Sequence, residues 1–91
     1  MRLVEGKVWY MYVVKCHDGT LYTGITTDLV RRVREHNGSS RGAKYTSARR
    51  PVSLIYSIEH PDRSSASIAE SKFKKLRRPQ KDTVIRLSKS V

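Results

Sequence analysis

Two short apolar runs separated by a tight turn most constrain how this chain can fold. Residues 8–14 and residues 21–26 are rich in the aromatic and β-branched side chains that favour strands. Between the runs stands Asp18-Gly19, and an Asp-Gly pair favours the positive backbone angles of a hairpin turn. Gly24 interrupts the second run, and the missing side chain there allows another group to approach closely. The sequence therefore predicts a β-hairpin with a close contact on its second strand.

A helix is predicted directly after this hairpin. Thr27 or Asp28 can cap its N-terminus through a side-chain oxygen, and Gly38 suits its C-terminal end. The positions spaced to share one face of the helix are Leu29, Arg32, Val33 and His36. An arginine and a histidine beside apolar side chains on that face are the first indication of a functional site.

The middle of the chain predicts one more strand. Residues 39–50 are polar and basic, and they form either a loop or a short second helix around residues 43–48. Residues 52–59 alternate between apolar and polar side chains and are rich in β-formers, so we expect a third strand there.

Two helices are predicted after the third strand. Ser64 or Ser65 can cap the first of them, and Pro79 suits the first turn of the second. The apolar positions of the first of these helices are Ala66, Ala69, Phe73 and Leu76.

Length and composition exclude several classes of protein. A chain of 91 residues has room for one domain with a modest core, so we expect a single domain over residues 1–91. A single Cys16 excludes an internal disulfide and suits a reducing compartment. No apolar run approaches the roughly 20 residues of a membrane-spanning helix, and the start lacks the pattern of a signal peptide. We therefore expect a cytoplasmic protein without a membrane partner, and a monomer as the default.

The formal net charge of +11 is concentrated in two segments. Residues 31–50 carry a net +6 and residues 72–91 a net +7, whereas residues 1–30 are neutral and residues 51–71 carry −2. Two basic segments beside a neutral hairpin are typical of proteins that bind a polyanion, above all nucleic acid. A role at a membrane surface and a charge that serves solubility alone are the competing interpretations, and no basic amphipathic helix with an aromatic face favours the membrane.

The first strand carries Tyr10-Met11-Tyr12 and the second Tyr22-Thr23-Gly24; the helix LVRRVREHN and the basic loop of residues 39–50 follow, and an isolated Glu70 lies in a later helix. Together these residues resemble the GIY-YIG nuclease superfamily. The likeness is greatest to the small, single-domain bacterial branch and covers residues 8–80. It implies an α+β fold, a three-stranded antiparallel sheet with flanking helices in the order β-β-α-(α)-β-α-α. It also implies a site that cuts phosphodiester bonds with one divalent metal ion, Mg²⁺ or Mn²⁺.

The resemblance carries five catalytic roles onto this chain. Tyr12 and Tyr22 take the places of the two motif tyrosines, Arg32 and His36 those of the helix arginine and histidine, and Glu70 that of the metal-binding glutamate. The first motif departs from its name, because Tyr-Met-Tyr stands where the family has Gly-Ile-Tyr, and Thr23 replaces the isoleucine of the second motif.

The chemistry of these side chains agrees with those roles. Arg32 can hold phosphate oxygens through two parallel hydrogen bonds, and Glu70 can hold Mg²⁺, which often needs only one or two carboxylates. A tyrosine with an ordinary pKa near 10 is about 0.1% phenolate at pH 7, so it needs help to act as a base. We assign Tyr12 as the general base with its proton relayed to His36, and Tyr22 as the group that positions water or phosphate.

Further basic and aromatic residues are candidates for contact with the nucleic-acid backbone. They are Arg31, Arg41, Lys44, Tyr45, Arg49, Arg50, Lys72 and Lys75. Each site residue also has an ordinary structural interpretation: a tyrosine packed in a strand, a solvated helix arginine, a histidine at a helix dipole, or an ion pair of Glu70 with Lys74.

The leading hypothesis is a metal-dependent DNA endonuclease, structure-selective or weakly specific for sequence, acting in DNA repair or recombination. RNA stays open as a substrate. The alternative is a nucleic-acid-binding module with the same fold and little or no turnover, because many relatives place an asparagine after the glutamate and this chain has none after Asn37. A third hypothesis is an adaptor that docks on a larger repair or ribosomal complex.

Overall fold

The protein has an α+β fold in which helices flank one antiparallel sheet of three strands. The computed structural model describes residues 8–89, so residues 1–7 and 90–91 of the predicted domain lie outside the described part. The elements in chain order are β1 (Trp9–Lys15), β2 (Leu21–Thr26), α1 (Leu29–Gly38), α2 (Lys44–Ser47), β3 (Ser53–His60), α3 (Arg63–Lys74) and α4 (Arg78–Lys89). The predicted fold class is confirmed. Within the described residues, no helix is long and apolar enough to cross a membrane.

The strand β1 lies at the centre of the sheet, between β2 and β3. Its hairpin with β2 turns at Gly19, whose φ of 86° lies in the left-handed region that glycine adopts without strain. The register places Tyr12 opposite Gly24, and Val14 opposite Tyr22. Both tyrosines therefore belong to the same face of the sheet, because alternate residues of a strand share a face and paired residues point the same way.

The two faces of the sheet carry separate halves of the core. On one face Met11 and Val13 pack with Phe73 and Ile85, beneath α3 and α4. On the other face Tyr12 and Val14 pack with Cys16 and Val52, and the apolar side of α1 covers them. The central strand β1 thus places buried side chains on both faces of the sheet. Because alternate residues point to opposite faces, the position of a residue in β1 decides which helices it contacts.

The ends of the helices show which sequence signals were read correctly. Asp28 caps α1 by accepting the backbone N–H of Arg31 at 3.0 Å, as one of the two predicted alternatives. The prediction that Ser64 or Ser65 caps α3 is wrong. Asp62 is the cap, and its carboxylate accepts the N–H of Ser65 at 2.8 Å. A carboxylate three residues earlier offers a stronger acceptor for that exposed N–H than a serine hydroxyl within the turn.

The segment after α1 is tied back onto the body of the protein. Its predicted short helix is present as α2. Asn37 bonds the backbone of Val52 in both directions, with its Nδ2 donating to the carbonyl at 3.1 Å and its Oδ1 accepting the N–H at 2.6 Å. Arg50 donates to the carbonyl oxygens of His36 and Ser39 at the C-terminal end of α1. Residues 39–50 are therefore held at both ends.

Candidate active site

A buried pair of polar side chains lies between the central strand and α1. The hydroxyl of Tyr12 is 2.7 Å from Nε2 of His36, and the two residues are 1% and 0% exposed. Gly24 makes room for this pair, because a Cβ at its position would lie 2.6 Å from the Tyr12 hydroxyl oxygen. The glycine of the second motif thus lets the tyrosine of the first lie flat across the neighbouring strand.

Tyr22 lies between this buried pair and the surface. Its ring meets the ring of His36 edge-on, with centroids 5.2 Å apart, and stacks on the ring of Tyr45 at 6.1 Å. The guanidinium of Arg49 lies over the ring of Tyr45, 3.9 Å from its centroid. Tyr22 itself is partly exposed, in contrast to Tyr12 and His36.

Arg32 stands one helical turn before His36 on the same face of α1. Its guanidinium interacts with the hydroxyl of Tyr12, and it donates to Oε1 of Glu35 at 2.9 Å and to the carbonyl of Arg41 at 2.7 Å. The hydrogen bond from Arg32 holds the pKa of Glu35 below its ordinary value. With its side chain 23% exposed, Arg32 is oriented by these contacts and is still open to an anion from solvent.

Glu70 approaches the site from α3, the helix on the other side of the sheet. Its negative charge is near enough to contribute to the raised pKa of Tyr12. The carboxylate is 22% exposed and pairs with Lys74 at 3.0 Å, so the ordinary helix ion pair is also present. Within residues 8–89 no group of three or more His, Cys, Asp or Glu side chains could hold a metal ion.

Burial sets the protonation states of the central pair. Burial raises the pKa of Tyr12 to about 12, and the positive charge of Arg32 opposes this rise. Burial lowers the pKa of His36 to about 4, and the same Arg32 charge adds to that effect. At neutral pH the free protein therefore holds a protonated Tyr12 and a neutral His36.

Thr46 is a site residue that the sequence did not indicate. It is fully buried on α2, and its hydroxyl lies 2.8 Å from Nδ1 of His36. A four-residue helix gives no periodic pattern, so nothing in the sequence distinguishes Thr46 from the other polar residues of the basic segment. The sequence did not indicate Glu35 either, although it orients Arg32. Charged residues lie around the whole of α1, so no pattern distinguishes this one.

The residues predicted to contact nucleic acid differ in exposure, in their bonds within the protein and in the face of the sheet on which they lie. Those with exposed side chains are Arg31, Arg41, Lys44, Tyr45, Lys72 and Lys75. Arg49 is bound to Asp18 at 3.0 Å, and Arg50 is engaged with carbonyls of α1. Lys72 and Lys75 belong to α3 and its C-terminal cap, on the face of the sheet opposite Tyr12. One continuous surface therefore does not unite all eight.

A model of the GIY-YIG catalytic domain matches residues 8–83, which include every site residue described above. The chain therefore belongs to the GIY-YIG family. Among curated proteins it is similar to a UPF0213 protein of Desulfotalea psychrophila, with 51% identity over 88% of this chain and 73% of that protein. A UPF0213 protein of Streptococcus sanguinis is 53% identical over 79% of this chain and 82% of its own length.

Two solved structures resemble the protein in both fold and sequence. The solution NMR structure of a protein from E. faecalis is 41% identical, has a TM-score of 0.64, and covers 98% of this chain and 94% of that one. The solution NMR structure of a UPF0213 protein from Bacillus halodurans is 39% identical, with a TM-score of 0.57 over 88% of this chain and 84% of that one. The protein thus falls among small bacterial members of the family.

Proposed function

We propose that the protein is a divalent-metal-dependent endonuclease that hydrolyses phosphodiester bonds in DNA. The observation that carries this proposal is the buried Tyr12–His36 pair beside Arg32, in a chain of the GIY-YIG family. A structure-selective or weakly sequence-specific reaction, in DNA repair or recombination in the cytoplasm, belongs to the same proposal.

Arg32 and Tyr22 bind the phosphate in this mechanism. Arg32 carries a fixed positive charge at the mouth of the site, and a guanidinium can grip two phosphate oxygens through parallel hydrogen bonds. Tyr22 offers a hydroxyl at the same rim and orients the phosphate or the attacking water. The stack of Tyr45 and Arg49 on its outer side limits the movement of its ring.

Tyr12 acts as general base and hands its own proton to His36. In the free protein the two pKa values keep this proton on Tyr12. A bound phosphate changes the balance, because its negative charge near His36 favours the protonated imidazole, while Arg32 stabilises a phenolate. Binding of substrate and activation of the base are therefore linked, because the proton transfer costs less when the site is filled.

Glu70 is the residue that would hold the metal ion. A single half-buried carboxylate fits Mg²⁺ or Mn²⁺, because Mg²⁺ keeps several of its waters and completes its shell with substrate phosphates. Such an ion supplies charge neutralisation at the phosphoryl oxygens. Lys74 pairs with Oε2 of Glu70, so a metal ion held there would share the carboxylate with this ion pair.

The test is a nicking assay on supercoiled plasmid with Mg²⁺, Mn²⁺ or EDTA. It compares wild type with Glu70→Gln and with Glu59→Gln, which removes the same charge from an exposed residue of β3. We expect wild type and Glu59→Gln to nick the plasmid with either metal, EDTA to abolish nicking, and Glu70→Gln to bind the plasmid without nicking it.

Equal nicking by wild type and Glu70→Gln, or nicking that survives EDTA, would contradict the proposal. Plasmid binding without nicking by any of the three proteins would favour the second candidate, a nucleic-acid-binding module with little turnover. Two observations favour that candidate: Lys74 occupies the carboxylate of Glu70, and the raised pKa of Tyr12 keeps the base protonated. A pure binder would show an affinity that falls by roughly 0.9 log units per log unit of salt for each phosphate neutralised.

A further inference from the structure

The site contains a third buried polar residue whose hydroxyl completes an ordered chain of hydrogen bonds. Thr46 and His36 are both 0% exposed. The Thr46 hydroxyl oxygen lies 2.8 Å from Nδ1 of His36 and 2.9 Å from the carbonyl oxygen of Ala43. On the opposite side of the imidazole, Nε2 lies 2.7 Å from the hydroxyl of Tyr12. Neither nitrogen of this ring is open to water.

The Thr46 end of the chain fixes one proton. A hydroxyl has a single proton to donate, and the Ala43 carbonyl can only accept one. With its proton directed to that carbonyl, the Thr46 oxygen is left as an acceptor, and Nδ1 of His36 must donate to it. The backbone N–H of Ala43 also points to Nδ1, but at 3.5 Å it lies at the limit of a hydrogen bond and competes weakly.

The Tyr12 end of the chain fits the same arrangement. The guanidinium of Arg32, whose positive charge acts on Tyr12, carries donor groups and has no lone pair to offer the phenol proton. Among the residues that the structure describes, Nε2 of His36 is the acceptor for that proton. A phenol oxygen can also accept a hydrogen bond, so Tyr12 alone would tolerate either tautomer, and the choice between them falls to Thr46.

We infer that Thr46 is a positioning residue that holds His36 in the tautomer protonated on Nδ1, so that Nε2 is free to take the proton of Tyr12. This inference rests on the proposed nuclease function for its catalytic meaning. Without Thr46 the imidazole loses the partner that selects this tautomer, and the other tautomer presents a donor where the relay needs an acceptor. Thr46 touches neither substrate nor metal in this role.

The position of Thr46 depends on the hairpin turn at the far end of the site. Arg49, three residues later, donates through Nε to Asp18 at 3.0 Å, and its carbonyl accepts the N–H of His17 at 3.0 Å. The turn therefore holds α2 against α1, and with it the hydroxyl that orients His36. The short helix α2 therefore has a structural role, the positioning of Thr46, in addition to any contact with DNA.

The test measures the tautomer of His36 directly, by the ¹⁵N chemical shifts of its two ring nitrogens in the free protein near pH 7. It compares wild type with Thr46→Val, which keeps the shape and loses the hydroxyl, and with Thr46→Ser, which restores the hydroxyl. The matched control is Thr83→Val, which removes a hydroxyl that donates to Pro79 on α4 at 3.0 Å. We expect protonation on Nδ1 in wild type, Thr46→Ser and Thr83→Val, and a mixture or Nε2 protonation in Thr46→Val.

Cleavage by the same proteins then shows whether the tautomer matters. Loss of a group that orients a metal-bound histidine typically costs roughly 10- to 100-fold in activity, and we expect a loss of the same order for Thr46→Val with unchanged plasmid binding. Thr46→Ser restores the rate, whereas a purely structural defect would also lower plasmid binding.

Protonation on Nε2 in wild type would overturn the inference, and this outcome needs no variant to fold. Protonation on Nδ1 retained in Thr46→Val, or a Thr46→Val rate equal to wild type, would overturn it as well. If none of the proteins cleaves DNA, the proposed function fails, and the ring shifts of wild type and Thr46→Val still decide whether Thr46 sets the tautomer.

Discussion

The two faces of the central strand are buried to the same degree and serve different ends. Met11 and Val13 are 3% and 0% exposed and pack among apolar side chains, whereas Tyr12 is 1% exposed, is bonded to the imidazole of His36 and is influenced by the charge of Arg32. On the first face the removal of water stabilises the fold. On the second face the same removal of water shifts two pKa values in opposite directions. Burial is thus a source of stability on one face and a means of controlling protons on the other.

The apolar face sets the largest expected effect on stability. Phe73 is buried against Met11 and Val13 and stacks on the ring of Tyr56 at 5.9 Å. We expect Phe73→Ala to lower the free energy of unfolding by about 3–5 kcal/mol, as for other large-to-small changes in a core. Urea denaturation measures this loss. Any molecules that stay folded keep the wild-type cleavage rate, and a rate that falls with the fold intact would show that the two faces are not separate.

The polar face makes stability depend on pH. His36 has a pKa of about 4 in the folded protein, against about 6.5 in the unfolded chain. Above pH 6.5 both states are neutral and His36 contributes nothing to the pH dependence. Between pH 6.5 and pH 4 the unfolded chain binds a proton that the folded protein does not, so stability falls by roughly 3 kcal/mol as the pH is lowered.

Denaturation midpoints measured from pH 8 to pH 4 check this dependence. The control is His17→Asn, which alters an exposed histidine and keeps the fall in stability between pH 6.5 and pH 4. Carboxylates with lowered pKa values, such as Glu35, add to the fall only near its acidic end, so the part of the fall nearest pH 6.5 belongs to His36. A flat profile in wild type would contradict the buried, neutral state of this residue.

A single methyl group can disturb the polar face without touching the apolar one. In Gly24→Ala the new Cβ would lie 2.6 Å from the Tyr12 hydroxyl oxygen and 2.8 Å from Cζ, so the ring must move away from His36. Overpacking of this kind costs about 1–3 kcal/mol. We expect this loss of stability together with loss of cleavage. The matched control is Gly38→Ala, because a Cβ at Gly38 meets nothing within 4 Å. Equal activity of the two variants would contradict the described contact.

The elements of the fold could be predicted because each depends on local chemistry. Alternating β-formers marked all three strands to within one residue at each end, and Pro79 marked the first turn of α4. The helix-capping prediction for α3 was wrong because a serine and an aspartate stood close together, and the sequence alone did not weigh a carboxylate against a hydroxyl. Each of these decisions involves residues fewer than five positions apart.

The sequence predicted the candidate site only for residues that helical spacing or strand alternation places on one face of an element. The spacing of Arg32 and His36 placed them on one face of α1, and the alternation in β1 and β2 placed Tyr12 and Tyr22 on one face of the sheet. The contact between His36 and Thr46, and the bonds of Arg50 to the end of α1, depend on how residues 39–50 fold back. No periodic pattern in the sequence predicts how this segment folds back, so these contacts are visible only in the structure.

The most direct test of the account is the removal of one phenol oxygen from each face. Tyr12→Phe and Tyr56→Phe are the same chemical change, at the polar pair and at the apolar core respectively. In single-turnover cleavage of a labelled DNA with Mg²⁺, we expect Tyr12→Phe to lose about 10²- to 10⁴-fold in rate, the usual contribution of a general base, and Tyr56→Phe to match wild type. Equal rates for the two variants would show that the buried pair is not the catalytic centre.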